Sequence, residues 1–132
     1  MNSKIYIAIS VVGLIADQFI KYIVLNTPKF SDGVFVNQNF AWSLPLSNTF
    51  SLVLMILVLL VLFYIQATHT ISAIWLLIAG AISNTTDRII HYGVVDYIIV
   101  PWGGIINLAD VMIFVGVILL IFNVRRDKNR NF

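Results

Sequence analysis

The stretch FSLVLMILVLLVLFYIQ, Phe50–Gln66, holds no charged residue in seventeen positions. A helix that crosses a bilayer needs about 20 mainly apolar residues, so a run of this kind points to the membrane as solvent. Reading outward, three further segments fit the same description: about Lys4–Leu25, about Ile71–Ile90 and about Ile105–Val124. Composition agrees. Of 132 residues, 60% are hydrophobic and 11% are charged, against about 25% charged in ordinary soluble domains. The mean hydropathy is +0.95. The expected fold is an all-α membrane protein with four transmembrane helices, in a single domain over residues 1–132.

The connections differ in kind. Ala67–Thr70 is a tight, uncharged joint. The loop Asn26–Thr49 holds Pro28, Gly33 and Pro45, and its β-branched and aromatic stretch Gly33–Ser43 fits a short sheet lying on the membrane. The connection His91–Gly104 holds Gly93, Pro101, Gly103 and Gly104. Long loops in so small a protein usually carry function. Four spans put both termini on one side. Lys4 and the basic tail Arg125, Arg126, Lys128 and Arg130 mark that side as cytoplasmic, so the long loops face outward. The N-terminal run begins as a signal peptide would. It continues past Asp17 and Gln18 to Leu25 without a small-residue cleavage site, and reads as a retained helix.

Several function classes fall away. The net charge of +2 comes with basic residues gathered in the tail, a membrane anchor rather than a nucleic-acid surface. With no cysteine there is no disulfide, thiolate nucleophile or cysteine metal site. His69 and His91 fall on opposite sides, so no metal site is expected and no cofactor is implied. Nothing in the chain demands a partner chain, and a monomer is expected.

The charges that remain converge. At 1.5 Å per residue, Asp17 lies about 20 Å up its span from Lys4, Asp87 about 27 Å from His69, and Asp110 about 22 Å from Arg125. With a hydrocarbon core of about 30 Å, three aspartates from three helices reach a similar depth near the outer face, where Asp96 in the adjoining loop can join them. Intramembrane charges cost roughly 2.5–3.5 kcal/mol each on insertion scales, so they face the bundle interior and pair. Asp17 and Lys21 share a face, as do Asn84, Asp87 and Arg88, and as do Asn107 and Asp110. Asp17–Lys21 reads most simply as a structural ion pair, and Asp87–Arg88 as an anchor buried against another helix. Asp32 and Asp127 read as solvated. Asp96 and Asp110 have no basic residue within four positions. Two such carboxylates close together share a proton, one fit to activate water and the other to protonate a leaving amine. The alternatives from the same residues are a proton relay in a small transporter and a lipid-binding protein without activity.

Taken in order, the motifs resemble the lipoprotein signal peptidase (signal peptidase II) family: Asp17-Gln18-Phe19-Ile20-Lys21, Asn37-Gln38-Asn39-Phe40-Ala41-Trp42-Ser43, Ser83-Asn84-Thr85-Thr86-Asp87-Arg88, Gly93-Val94-Val95-Asp96-Tyr97 and Asn107-Leu108-Ala109-Asp110. Within them the chain has Asn39 and Ser83 where the family usually has Gly, Phe40 where it has a small residue, and Tyr97 where it has Phe. The resemblance implies a bacterial intramembrane aspartic endopeptidase. It would cut the signal peptide from diacylglyceryl-modified prolipoproteins just before the lipid-bearing cysteine, in the inner membrane, with the active site near the outer face. It implies four spans with an outer β-cradle and a short loop helix. It implies Asp96 and Asp110 as the catalytic pair. Asn37, Asn84, Asp87, Arg88 and Asn107 would shape the site or hold substrate, and Asp17 and Lys21 would support it. Partners would be the prolipoprotein and membrane lipids. The first loop, with Phe35, Phe40 and Trp42, could clamp over the substrate.

Overall fold

The computed structural model describes residues 3–39, 46–69, 71–101 and 103–128. Phe40 and Trp42 of the expected clamp, and Arg130 of the basic tail, lie outside the described residues, as do the side chains of Asp32 and Asp127. Four helices carry the fold: α1 (Ser3–Asn26), α2 (Asn48–His69), α3 (Ile74–His91) and α4 (Leu108–Lys128). A short 3-10 helix, Pro28–Gly33, follows α1. The two long connections supply β1 (Phe35–Asn37), β2 (Val94–Asp96), β3 (Ile98–Ile99) and β4 (Ile105–Ile106). β1 pairs antiparallel with β2, setting Phe35 opposite Asp96, and β3 pairs antiparallel with β4, setting Ile98 opposite Ile106.

Two expected boundaries move inward. Ile71–Ala73 form a turn whose carbonyls cap the start of α3. Ile105–Ile106, read as the start of the last span, pair with β3 instead, and α4 begins at Leu108. A short apolar run looks the same in a buried strand and in a helix, so sequence could not separate them.

α1 and α2 are each long and apolar enough to cross a membrane, and α4 contributes a shorter apolar stretch, Leu108–Asn123. The distribution of side chains inverts the soluble pattern. On α1 the buried residues are Tyr6, Ser10, Asp17 and Lys21, a mostly polar stripe, whereas Ile9, Val12, Ile15 and Phe19 are exposed. On α2 only Ser51 is buried. An apolar exterior over a polar interior is the arrangement a lipid solvent rewards. α3 is central: it packs on α1, α2 and, most extensively, α4, and it buries both its apolar half and its polar end.

The α3–α4 contact depends on backbone approach. A Cβ on Gly80 would lie 2.6 Å from the Ala109 carbonyl oxygen and 2.7 Å from Ile113 Cγ1. Small residues at such crossings let two helix backbones meet. Gly80→Ala is a direct test of which effect wins. Alanine favours the helix by about 1 kcal/mol, but overpacking costs about 1–3 kcal/mol and the obstacle here is backbone. The expected result is a lower midpoint in thermal denaturation of the purified protein. A raised midpoint would show that α4 can yield.

Gly93 makes a second close approach. A Cβ there would meet the Asn37 carbonyl oxygen at 2.9 Å. The absence of a side chain lets β2 lie against β1, after Tyr92 ends α3 in a left-handed conformation at φ 57.

Candidate active site

The first layer of the site is a buried charge cluster. Lys21 Nζ sits 2.6 Å from Asp17 Oδ2 and 2.7 Å from Asp87 Oδ2, and all three side chains are at most 2% exposed. The expected Asp17–Lys21 pair is present on one face of α1. Asp87 pairs with Lys21 across the α1–α3 interface; among the described residues its only ion pair is this one, not one with its neighbour Arg88. One cation between two buried carboxylates needs further donors, because a buried charge left short of partners is costly. Ser83 Oγ donates to Asp17 Oδ2 at 2.5 Å, and Gln18 Nε2 donates to Asp87 Oδ1 at 3.0 Å.

The same carboxylates grip the surrounding main chain. Asp87 Oδ2 accepts the Val95 N–H at 3.1 Å, one residue before Asp96. Asp17 Oδ1 accepts the Tyr97 hydroxyl at 2.7 Å, one residue after Asp96, and the Ala109 N–H at 3.3 Å. The strand carrying Asp96 is therefore held on both sides by the two partners of Lys21.

The second layer is the start of α4. Asn107 Oδ1 accepts the Asp110 N–H at 2.9 Å, and Asp110 Oδ2 accepts the Asn107 N–H at 3.2 Å. This reciprocal pair is a capping box, which satisfies two amides that a helix start leaves open. It explains the three-residue spacing of the motif in local terms. The remaining group, Asn107 Nδ2, donates to Asp96 Oδ1 at 2.8 Å and to Asn84 Oδ1 at 3.1 Å. Asn84 Nδ2 donates to Asp110 Oδ1 at 2.8 Å. Lys21 Nζ donates to Asn84 Oδ1 at 3.2 Å, which turns the Asn84 amide so that its Nδ2 faces Asp110. Asn37 Nδ2 reaches Asp96 Oδ2 at 3.5 Å, diagonally across the β1–β2 pair.

Asp96 and Asp110 thus meet on one residue, Asn107, and neither forms an ion pair among the described residues. Burial first, and the negative charge of Asp110 second, push Asp96 up to about 7, although its bonds from Asn107 and Asn37 oppose the rise. Tyr97 is also pushed up, by burial and by its bond to Asp17, so its hydroxyl keeps its proton and donates.

Arg88 carries its charge within reach of Asp96 and Asp87 but makes its hydrogen bonds elsewhere. Its Nη2 donates to the Asn39 carbonyl at 2.8 Å and its Nη1 to Asn48 Oδ1 at 3.2 Å, while Asn48 Nδ2 donates to the Arg88 carbonyl at 3.2 Å. It fastens the middle of the first long connection and the start of α2, while its Nε is buried without a hydrogen-bond partner among the described residues. His69 and His91 are exposed, apart from the cluster. The sequence reading assigned no role to Gln18, Asn48, Ser83 or Tyr97. Ser83 carried a partial signal, standing four residues before Asp87 and so on its face of the helix. The other three reach partners 40 to 80 positions away and carried none.

Comparison with known proteins places these features in company. The family model described as signal peptidase (SPase) II matches residues 9–126. The chain is 33% identical over 155 aligned positions to the lipoprotein signal peptidase of Staphylococcus haemolyticus (strain JCSC1435), covering 98% of each. It is 35% identical over 151 positions to that of Staphylococcus aureus (strain JH9), covering 98% of this chain and 91% of the relative. Among solved structures, a bacterial membrane enzyme determined in meso at 2.3 Å superposes with a TM-score of 0.84 at 31% identity, over 98% of this chain and 92% of the other. A second, at 1.9 Å, gives 0.78 at 33% identity over 92% of each.

Proposed function

The chain belongs to the signal peptidase II family, whose members are membrane proteases that process lipoproteins, and we propose that it cleaves diacylglyceryl-modified prolipoproteins immediately before the lipidated cysteine, with Asp96 and Asp110 as an aspartic dyad. The observation that carries this reading is the convergence on Asn107: its side chain donates to Asp96 and its main chain to Asp110. Two carboxyl groups held together, neither ion-paired among the described residues, share one proton. The ionised member takes a proton from water as the oxygen attacks the scissile carbonyl. The protonated member gives its proton to the leaving nitrogen as the C–N bond breaks. In this reading Asn37, on the strand beside Asp96, meets an extended substrate backbone.

All four helices cross the bilayer in this reading, and the protein acts as a monomer in the bacterial inner membrane. Antiparallel packing of α1 on α4 supports the topology. Asp17 meets Ala109, and a Cβ on Gly13 would touch Met112, so Lys4 and the basic end of α4 lie at the same end of the bundle. That end is cytoplasmic, and the dyad lies near the outer face. The fatty chains of the substrate lie against the exposed apolar surface in the bilayer.

The deciding experiment is a cleavage assay on a synthetic diacylglyceryl-modified prolipopeptide, run from about pH 5 to about pH 9, above the reference carboxylate range and on both sides of the raised Asp96. With Asp96 pushed up to about 7, the single-proton form is lost as pH rises through that value. kcat/KM is therefore expected to fall on the alkaline side from near pH 7. A rate still climbing at the alkaline end would exclude a dyad that must keep a proton. The sign for stability is the same. A carboxyl raised in the folded state favours folding below its unfolded value, and that contribution disappears as pH climbs toward 7.

A further inference from the structure

Tyr97 stands between β2 and β3, one position past Asp96. Its main-chain N–H donates to the Ile106 carbonyl at 3.0 Å, at the end of β4. Its hydroxyl donates to Asp17 Oδ1 at 2.7 Å and accepts the Leu108 N–H at 3.1 Å. Leu108 is the first residue of α4, so a phenol from the sheet caps one of the open amides of the helix that carries Asp110. One oxygen therefore links α1, the strand bearing Asp96 and the first turn of α4.

Neutralising Asp17 does not require this hydroxyl. Asp17 Oδ2 already has Lys21 and Ser83, and Oδ1 also accepts the Ala109 N–H. What the hydroxyl adds is direction. The family usually carries the ring alone here; in this chain the hydroxyl has become the acceptor of the Leu108 N–H, and its removal would leave that amide open and the turn holding Asp110 free to shift against β2.

We propose that Tyr97 is a positioning residue whose hydroxyl sets the spacing between Asp96 and Asp110. The proposal rests on the dyad reading given above. It does not place Tyr97 in contact with substrate.

The test compares the full chain with Tyr97→Phe, Ser83→Ala and Asp96→Asn, each purified into lipid nanodiscs and assayed on the same prolipopeptide. Tyr97→Phe is expected to lower kcat about tenfold or more, with KM within about twofold, because displacements of an ångström at a reacting centre cost up to about a hundredfold. The alkaline limb of its pH profile should move as well, since Asp96 shifts against Asp110. Ser83→Ala removes a 2.5 Å bond to the same carboxylate but touches neither β2 nor α4, and should lower the thermal midpoint without moving the alkaline limb of the pH profile.

Wild-type kcat and an unmoved pH profile in Tyr97→Phe would overturn the proposal. So would a loss of kcat that tracks lost thermal stability equally in both variants, or a Tyr97→Phe chain that does not fold, because the hydroxyl would then serve stability alone. If the wild-type chain shows no cleavage that Asp96→Asn removes, the dyad reading fails and this proposal with it. Cleavage that depends on Asp96 but ignores Tyr97 sinks the positioning role only.

Discussion

Asp96→Asn and Asp110→Asn should each remove essentially all cleavage of a lipidated prolipopeptide, by at least about a thousandfold, near the upper range for a general acid or base. An amide can neither take the proton from water nor supply one to the leaving nitrogen. The two variants should nevertheless differ in stability. At position 96 an asparagine oxygen can still accept from Asn107, the shorter of the two bonds that Asp96 receives. At position 110 both carboxylate oxygens are in use, one for Asn84 and one for the Asn107 N–H. An amide nitrogen in either place faces a donor, so either the Asn84 bond or half of the capping box is lost, a cost of about 1 kcal/mol. Paired assays of cleavage and thermal denaturation read both effects. Near-full turnover in either variant would remove that aspartate from the dyad, and equal stability would show that the capping geometry does little.

Lys21→Met carries the second large effect, on folding rather than chemistry. The methionine fills similar space but leaves Asp17 and Asp87 buried together without their shared cation. Breaking a buried pair from one side typically costs about 3–5 kcal/mol, because the abandoned charge cannot reach water. Here two are abandoned. The Asn84 amide also loses the donor that fixes its orientation toward Asp110. The expected outcome is a chain that is degraded in cells or loses its melting transition after extraction. Lys21→Met combined with Asp87→Asn should recover part of the loss, since one of the two stranded charges is removed. A single variant with wild-type stability would mean that water reaches the cluster.

Much of this was legible in the sequence because it rests on local periodicity. The helices fall where apolar runs of span length fall, and Asp17–Lys21 and Asn107–Asp110 can be read from spacings of four and three. Two things were not legible. Where an apolar run changes from strand to helix leaves no periodic mark, which hid β4. Partners across helices leave no mark either. Asp87 stands beside Arg88 in the chain, but helix geometry turns Asp87 toward α1 and Arg88 toward Asn48 on α2. Ser83 and Tyr97, read only as departures from a motif, reach the same carboxylate from α3 and from the join of β2 and β3.

The ion pair inside α1 also bears on how the chain enters its membrane. During synthesis α1 is inserted before α3 exists to meet it. Asp17 and Lys21, 2.6 Å apart on one helical face, let the segment arrive already neutralised, at less than the cost of two lone charges. α3 brings Asp87 later, and Lys21 then serves both carboxylates. A helix that carries its own counter-ion can wait in lipid for its neighbour, and the order of the helices along the chain becomes a workable order of assembly.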